Sequence, residues 1–348
     1  MKAVSFEQHG GPEVLRYGEV PDPQPRADEV LVEVKACALN HLDVWIRRGL
    51  PGVKVKLPHI GGCDIAGVVR EVGELVDWVK PGERVLINPG TSCGHCEACL
   101  SGDDNLCPRY STIGGYQRDG GLAELVAVPG ANVIPMPENL EFSEAAAVPL
   151  VFLTAWHMLI TRVQLKPGED VLVQAAGSGV GSAAIQIARL IGARVITTAS
   201  SEEKLEKARE LGAQETINYR EQNFVDEVKR LTGKKGVEVV FEHTGEETWE
   251  GSILSLARNG RLVTCGATSG YAGRTDLRHV FFRQLTIYGS TMGSKAELLH
   301  LMKYFRSGQL RPVVDRVMPL EAAAEAQRAM EHRAQFGKIV LRPQQRED

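Results

Sequence analysis

Short valine-rich runs, broken by proline and glycine, fill the first part of the chain. Residues 30–36 alternate in part between apolar and polar side chains, and residues 66–72 and 83–87 follow the same habit. Such runs between turn formers predict strands. Pro21, Pro23, Pro25, Pro51-Gly52, Gly61-Gly62 and Pro81-Gly82 supply the turns. A β-rich, barrel-like domain is expected over the first 150 residues.

The rhythm changes near residue 150. Residues 170–175 read as a buried parallel strand; Ala183, Ala184, Ile187 and Leu190 then recur at helical spacing until Gly192 supplies the stop. Residues 194–198 form the next strand. Ser200, with Glu203 three residues on, reads as a capping box for a helix to Leu211, closed by Gly212. Strands at 216–217, 237–241 and 261–265 alternate with helices near 224–231 and 248–257. This alternation predicts an α/β fold with a parallel doubly wound sheet. Beyond an apolar run at 285–289 come helices at 296–305 and 321–331 and a last strand at 338–341, which could rejoin the first domain. Residues 344–348 read as a loose polar tail.

Composition narrows the function classes. With 348 residues the chain suits two domains, and 43% hydrophobic residues are enough for two cores. A net charge of −4 argues against a dedicated nucleic-acid binder. The most apolar stretch, 145–160, is interrupted by Pro149 and His157, so no membrane partner is expected. The start, Met1-Lys2-Ala3-Val4-Ser5-Phe6-Glu7, has no apolar signal core, and a cytoplasmic location is expected.

Gly177-Ser178-Gly179-Val180-Gly181 sits directly after a strand and opens a helix. The G-x-G-x-x-G fingerprint would place its third glycine at Ser182; Ala176-x-x-Gly179-x-Gly181 is the other reading. Both let the backbone approach a pyrophosphate held by helix N–H groups. A ligand-free tight turn is the alternative, and the second strand–helix unit behind it favours the nucleotide. An NAD site usually carries an acid at the tip of the second strand. Here Thr197-Thr198-Ala199-Ser200-Ser201 has none. Ser200 with Lys204, and Tyr219 and Arg220 after the third strand, would suit a 2′-phosphate, so NADPH is favoured, with NADH as the alternative; Ser200 and Ser201 can equally cap the helix. Gly266, after the 261–265 strand, joins the expected cofactor contacts.

Four of seven cysteines fall in one loop, as Cys93-x-x-Cys96-x-x-Cys99-x7-Cys107; Cys37, Cys63 and Cys265 lie elsewhere. A reducing compartment disfavours disulfides. Four thiolates close a tetrahedral shell, so one structural zinc per chain is expected, with His95 a bystander.

Together these features resemble the medium-chain dehydrogenase/reductase family, which includes zinc alcohol dehydrogenases and quinone reductases. Residues 67–73 followed by Lys80-Pro81-Gly82-Glu83-Arg84-Val85, and Asp119-Gly120-Gly121-Leu122-Ala123-Glu124, look like its first-domain signatures. The resemblance covers essentially the whole chain. It implies a GroES-like catalytic domain at 1–151 with the zinc lobe at about 88–110, a Rossmann domain at 152–290, a returning segment at 291–348 and an active site in the cleft between the domains.

The family's catalytic-zinc ligands do not carry over. Asn40 stands at the first ligand position, Gly62-Cys63-Asp64 at its Gly-His-Glu motif, and Leu150 at the last ligand, four residues before Thr154. Residues 38–49 look instead like the zinc-free quinone reductases, as do 200–204 with Ile217-Asn218-Tyr219. The implied activity is metal-free hydride transfer from NAD(P)H to a quinone or a conjugated or simple carbonyl. Asn40 would donate a hydrogen bond and Asp43 would orient it. Cys63 and Thr154 would face the nicotinamide or substrate, and water or His41 would supply the proton. Two alternatives stay open: a zinc alcohol dehydrogenase with ligands drawn from Cys37, His59, Cys63 or Asp64, and a nucleotide-binding protein without turnover. The apolar run 285–289, read as a sheet edge, predicts a homodimer or homotetramer.

Overall fold

The computed structural model describes residues 1–344, so most of the expected polar tail lies outside the described residues. The chain forms two compact units: residues 1–150 with the segment returning from Gly293, and Val151–Met292. In chain order come β1 (Lys2–Phe6), β2 (Arg16–Glu19), β3 (Glu29–Ala38), α1 (His41–Arg48), β4 (His59–Ile60), β5 (Asp64–Val72) and β6 (Arg84–Ile87). The cysteine lobe is framed by β7 (Gly90–Thr91), α2 (Glu97–Leu100) and β8 (Ser111–Thr112), and followed by β9 (Leu125–Pro129), β10 (Val133–Pro135), α3 (Phe142–Ala146) and α4 (Pro149–Trp156). The next elements are β11 (Asp170–Val173), α5 (Gly179–Ile191), β12 (Arg194–Ala199), α6 (Glu202–Leu211), β13 (Glu215–Asn218) and α7 (Phe224–Leu231). Then come β14 (Val237–Glu242), α8 (Glu246–Ser255), β15 (Leu256–Thr264), α9 (Leu277–Arg283) and β16 (Thr286–Gly289). The return adds α10 (Lys295–Arg306), β17 (Val314–Pro319), α11 (Ala323–Glu331) and β18 (Lys338–Arg342).

In the first unit a sheet runs β10-β6-β5-β3-β18-β17, with β9 also pairing β3, beside smaller sheets β2-β1-β4 and β7-β8. Val30, Val32, Val34, Ile65, Val69, Val85, Ile87, Val126, Val128, Ile339 and Leu341 are buried in its core. Each such side chain contributes about 1.5–3 kcal/mol on burial. Register decides what meets at the sheet's end. Ala38 lies opposite Asp64 on β5 and opposite Val340 on β18. The end of β3 and the starts of β5 and β18 therefore converge.

The second unit holds a wholly parallel six-stranded sheet in the order β13-β12-β11-β14-β15-β16. The strand order reverses between β11 and β14, the kind of place where α/β sheets bind ligands. Leu172, Ile196, Val240 and Leu262, on its central strands, are fully buried. The α/β doubly wound expectation is met.

Three local expectations are corrected. The N-cap of α6 is Ser201, not Ser200: its extended backbone (φ −155°, ψ 154°) aims Oγ at the Lys204 N–H, 3.4 Å away. Helix α8 starts earlier than expected, after Gly245 at φ +94°, and stops at Ser255; Leu256, with ψ 146°, is already extended and pairs Val237. Pro149 does not interrupt the apolar stretch. It opens α4, a position where its missing N–H is harmless, and the helix continues into a π-helical turn at His157–Arg162. Among the described residues no helix is long and apolar enough to cross a membrane.

Candidate active site

After β11 the chain turns through residues 174–178, with Ala175 in a left-handed backbone (φ +53°). Ser178 caps α5, its Oγ accepting from the Gly181 N–H at 2.8 Å. Gly181 has to be glycine here, because a Cβ would stand 2.4 Å from the Ala175 carbonyl oxygen. The N–H groups of Gly179 and Val180 find no acceptor among the described residues. Unpaired amides at the positive end of a 13-residue helix suit a pyrophosphate. Gly177 lies in the same turn.

The remaining expected cofactor residues lie along the same carboxyl edge of the sheet. Ser200 follows β12, Lys204 sits in the first turn of α6, and Gly266 lies just beyond β15. Tyr219 follows β13 and donates its N–H to Ala199 at 3.1 Å. No acid stands at the tip of β12 before Glu202. A buried polar network, missed in sequence, closes the switch point. Fully buried Glu242 accepts from the Thr244 and Gly245 N–H groups at 2.6 and 3.1 Å and from the Ser252 hydroxyl at 2.6 Å. His243 Nε2 lies 2.9 Å from the Gln174 carbonyl and 3.3 Å from Ser178 Oγ. Burial lowers the His243 pKa below its ordinary value, which favours the neutral ring. The available signal was Glu242-His243-Thr244-Gly245, polar groups directly after a buried strand.

In the lobe, the ligand atoms of Cys93, Cys96, Cys99 and Cys107 all lie within 4.8 Å of one another. Tetrahedral Zn–S bonds of about 2.3 Å need sulfurs about 3.8 Å apart. Cys93 and Cys99 are at 3.9 Å and Cys96 and Cys99 at 3.5 Å. Backbone N–H groups of Cys93 and Arg109 point at the Cys107 sulfur, both at 3.4 Å, as donors to a thiolate would. The four residues fit a structural zinc.

The convergence of β3, β5 and β18 brings Asn40, Cys63, Asp64 and Lys338 together, all buried. The Lys338 ammonium donates to Asn40 Oδ1 and, at 2.9 Å, to Asp64 Oδ2. The Asn40 amide donates to Asp64 Oδ2 at 2.8 Å and to the Cys63 sulfur at 3.3 Å. Asp64 Oδ1 accepts from the Leu150 N–H at 2.8 Å. Asn40 thus has both amide hydrogens engaged, and the substrate-donor role expected of it does not fit this arrangement. Lys338 was missed because it lies 298 residues from Asn40 in sequence. The Asp43 carboxylate accepts from the Asn40 and Gly62 N–H groups at 2.7 and 2.8 Å. Burial pushes Asp43 up to about 6, although those two N–H groups pull it down. Burial also pushes the Cys63 thiol well above its usual range, which disfavours a thiolate ligand. Thr154 lies on α4, in the other compact unit; it is buried and its hydroxyl has no partner among the described residues.

The positions at which the resemblance implies catalytic-metal ligands hold the Asn40 amide, a Cys63 thiol that burial raises above its usual range, an Asp64 carboxylate bonded to the Lys338 ammonium, and Leu150. Among the described residues the only cluster of three or more Cys, His, Asp or Glu ligand atoms is the lobe's own. This donor set does not fit a catalytic zinc.

Comparisons with known proteins agree with the fold. Residues 26–138 match the alcohol dehydrogenase GroES-like domain, and residues 179–307 the zinc-binding dehydrogenase family. The chain is 33% identical to the quinone oxidoreductase of Sus scrofa, covering 98% of this chain and 97% of that protein. It is 32% identical to the NAD-dependent alcohol dehydrogenase of Sulfurisphaera tokodaii, over 99% and 100% of the two chains. A crystal structure of an NAD-dependent alcohol dehydrogenase matches with a TM-score of 0.95 and 54% identity, over 98% of this chain and 99% of the other. The carboxyl-edge glycine turn, the cysteine lobe and these relatives lead to one conclusion: the chain belongs to the medium-chain dehydrogenase/reductase family and is an NAD(P)-dependent oxidoreductase.

Proposed function

We propose that the chain is an NADPH-dependent reductase that passes hydride to a quinone or a conjugated carbonyl without a catalytic metal. The observation that carries this reading is the bonding of Lys338 to both Asn40 and Asp64. The polar groups at the metal position of related enzymes are committed to one another and to a fixed cation.

When bound, the cofactor supplies a hydride from its nicotinamide ring. The Gly177–Gly181 turn holds the pyrophosphate, and Ser200, Lys204 and Tyr219 receive the 2′-phosphate. Oxidising a simple alcohol requires loss of its hydroxyl proton as hydride leaves, and a metal eases that loss by holding the alkoxide. A quinone or enone spreads the incoming charge onto a conjugated oxygen and needs no such help. Asn40, Asp43 and Cys63 shape the acceptor pocket, and the Lys338 charge lowers the energy of negative charge arriving near it. The quinone oxidoreductase relative supports this reading.

The relatives named NAD-dependent alcohol dehydrogenases favour a second reading, alcohol oxidation with NAD and a zinc held by Cys37, His59, Cys63 or Asp64. The absence of a ligand cluster among those residues weighs against it. A homodimer or homotetramer is part of the proposal. Among the described residues β16 pairs only β15, and Thr286 and Ile287 on it are exposed. NADPH and NADH oxidation against quinones, enones and aldehydes, with primary-alcohol oxidation assayed before and after chelation, tests the reading. Turnover on quinones or enones that survives chelation is expected; alcohol oxidation abolished by chelation would favour the second reading.

A further inference from the structure

At the amino edge of the parallel sheet, opposite the cofactor turn, lies a cleft of about 200 Å³. It is built by the second unit alone. Three helices end on it. Lys229 reaches it from the last turn of α7, Leu254 from the end of α8, and Arg283 as the last residue of α9. Lys234 and Lys235, in the turn into β14, and Arg258, near the start of β15, complete its charge. Among the described residues five cations line the cleft and no carboxylate does. This is concentrated charge in a chain whose net charge is −4.

Helix carbonyl ends account for part of this charge. Each carries about half a negative elementary charge, so three ends offset less than half of the five cations. The arginines serve those ends. Arg283, half-buried, donates to the Ile253 and Leu256 carbonyls at 2.8 and 2.9 Å, where α8 stops. Arg258 donates to the Phe282 carbonyl at 3.1 Å. The lysines have no such task. The side chains of Lys229, Lys234 and Lys235 make no hydrogen bond or ion pair among the described residues, whereas Arg230, next to Lys229, is paired with Glu227 at 2.8 Å. The turn that presents two of these lysines is fixed. The Lys234 N–H donates to the Lys229 carbonyl at 2.6 Å, the Lys235 N–H to the Thr232 carbonyl at 3.2 Å, and the Gly236 N–H to Thr232 Oγ1 at 3.0 Å. Lys234 itself holds a left-handed backbone, φ +68°, which side chains disfavour. Local strain of this kind gathers where ligands bind. Burial, then the nearby Arg258, lower the Arg283 pKa, so the cations of the cleft repel one another.

We propose that this cleft is a second anion site, which binds a compact multivalent oxyanion of the pyrophosphate class between Lys229, Lys234, Lys235 and Arg258. Its volume lies below the roughly 300–1,000 Å³ of pockets for drug-sized ligands, and suits a small ion. Lysine ammonium groups are free to turn towards phosphate oxygens and form charge-assisted hydrogen bonds. The fixed turn removes part of the ordering cost of binding. The site is separate from the cofactor's. β14 starts beside the cleft and ends six residues later at the Glu242 network, a span of about 20 Å for an extended strand. The inference therefore stands whichever acceptor the enzyme reduces.

Calorimetric titration of the full chain with pyrophosphate, at fixed ionic strength and with NADPH or NADH saturating the cofactor site, tests the assignment. One pyrophosphate per chain should bind. The double variant Lys234→Gln, Lys235→Gln should weaken it about tenfold or more, the size of a lost charge-assisted hydrogen bond, with cofactor affinity unchanged. Lys80→Gln, at an exposed lysine of the other unit, should leave it intact. Chemical acetylation of the unmodified chain, followed by peptide mass, gives a second readout that needs no variant: pyrophosphate should slow the modification of Lys234 and Lys235 and spare that of Lys80. Absence of binding, or equal weakening by the double variant and by Lys80→Gln, would overturn the site. Binding to phosphatidylglycerol vesicles without binding of free pyrophosphate would overturn the small-ion assignment in favour of an anionic surface.

Discussion

Lys338 Nζ lies 2.9 Å from Asp64 Oδ2, with both side chains buried. The lysine opens the last strand and the aspartate opens β5, and β3 lies between the two strands. Lys338→Met leaves a buried carboxylate with only the Asn40 amide and the Leu150 N–H. A loss of about 3–5 kcal/mol is expected, read from urea unfolding of the full chain. The double variant with Asp64→Asn should recover part of that loss. A loss below about 1 kcal/mol, the size of an exposed ion pair, would mean that the pair does not hold the three strands together.

Asp43 links stability to pH. Its folded pKa, about 6, lies above the ordinary value of 3.8. The folded state therefore binds the proton more tightly, and the stabilisation from this group is fully present below about pH 4 and lost as pH rises through about 6. Two units correspond to about 3 kcal/mol at most. The difference in unfolding free energy between the unmodified chain and Asp43→Asn should change across this window and level off above it. A flat difference from pH 4 to 7 would contradict the raised carboxyl.

Zinc in the cysteine lobe should be structural. Cys107→Ser is expected to lower the metal content from about one zinc per chain to near zero and to reduce Tm. The protein that remains folded should retain measurable reductase turnover at low temperature. Complete loss of turnover in folded, zinc-free protein would assign this ion to the chemistry.

Cofactor preference rests on Ser200, Lys204 and Tyr219. Lys204→Ala should raise the KM for NADPH about tenfold or more, the equivalent of a lost charge-assisted hydrogen bond, and barely alter the KM for NADH. Equal effects on both cofactors would remove the 2′-phosphate role from Lys204.

Much of the fold was legible because its causes are local. Valine-rich alternation, glycine stops and strand–helix rhythm mark elements of a few residues, and the 177–181 turn declares itself by spacing. The four lobe cysteines are close in sequence as well as in space. Boundaries were less legible: Ser200 and Ser201 are chemically the same, and only backbone direction makes the second the cap. The Asn40–Asp64–Lys338 network was hidden for a different reason. Register between β3, β5 and β18 creates it, and no periodicity ties residue 338 to residue 40.

Anomalous diffraction at the zinc absorption edge, on crystals of the full chain grown with zinc present, tests the central claim most directly. The account predicts one strong peak, amid Cys93, Cys96, Cys99 and Cys107, and none beside Cys63. A second peak of similar height within bonding distance of Cys63 and Asp64, with Lys338 turned away, would contradict it.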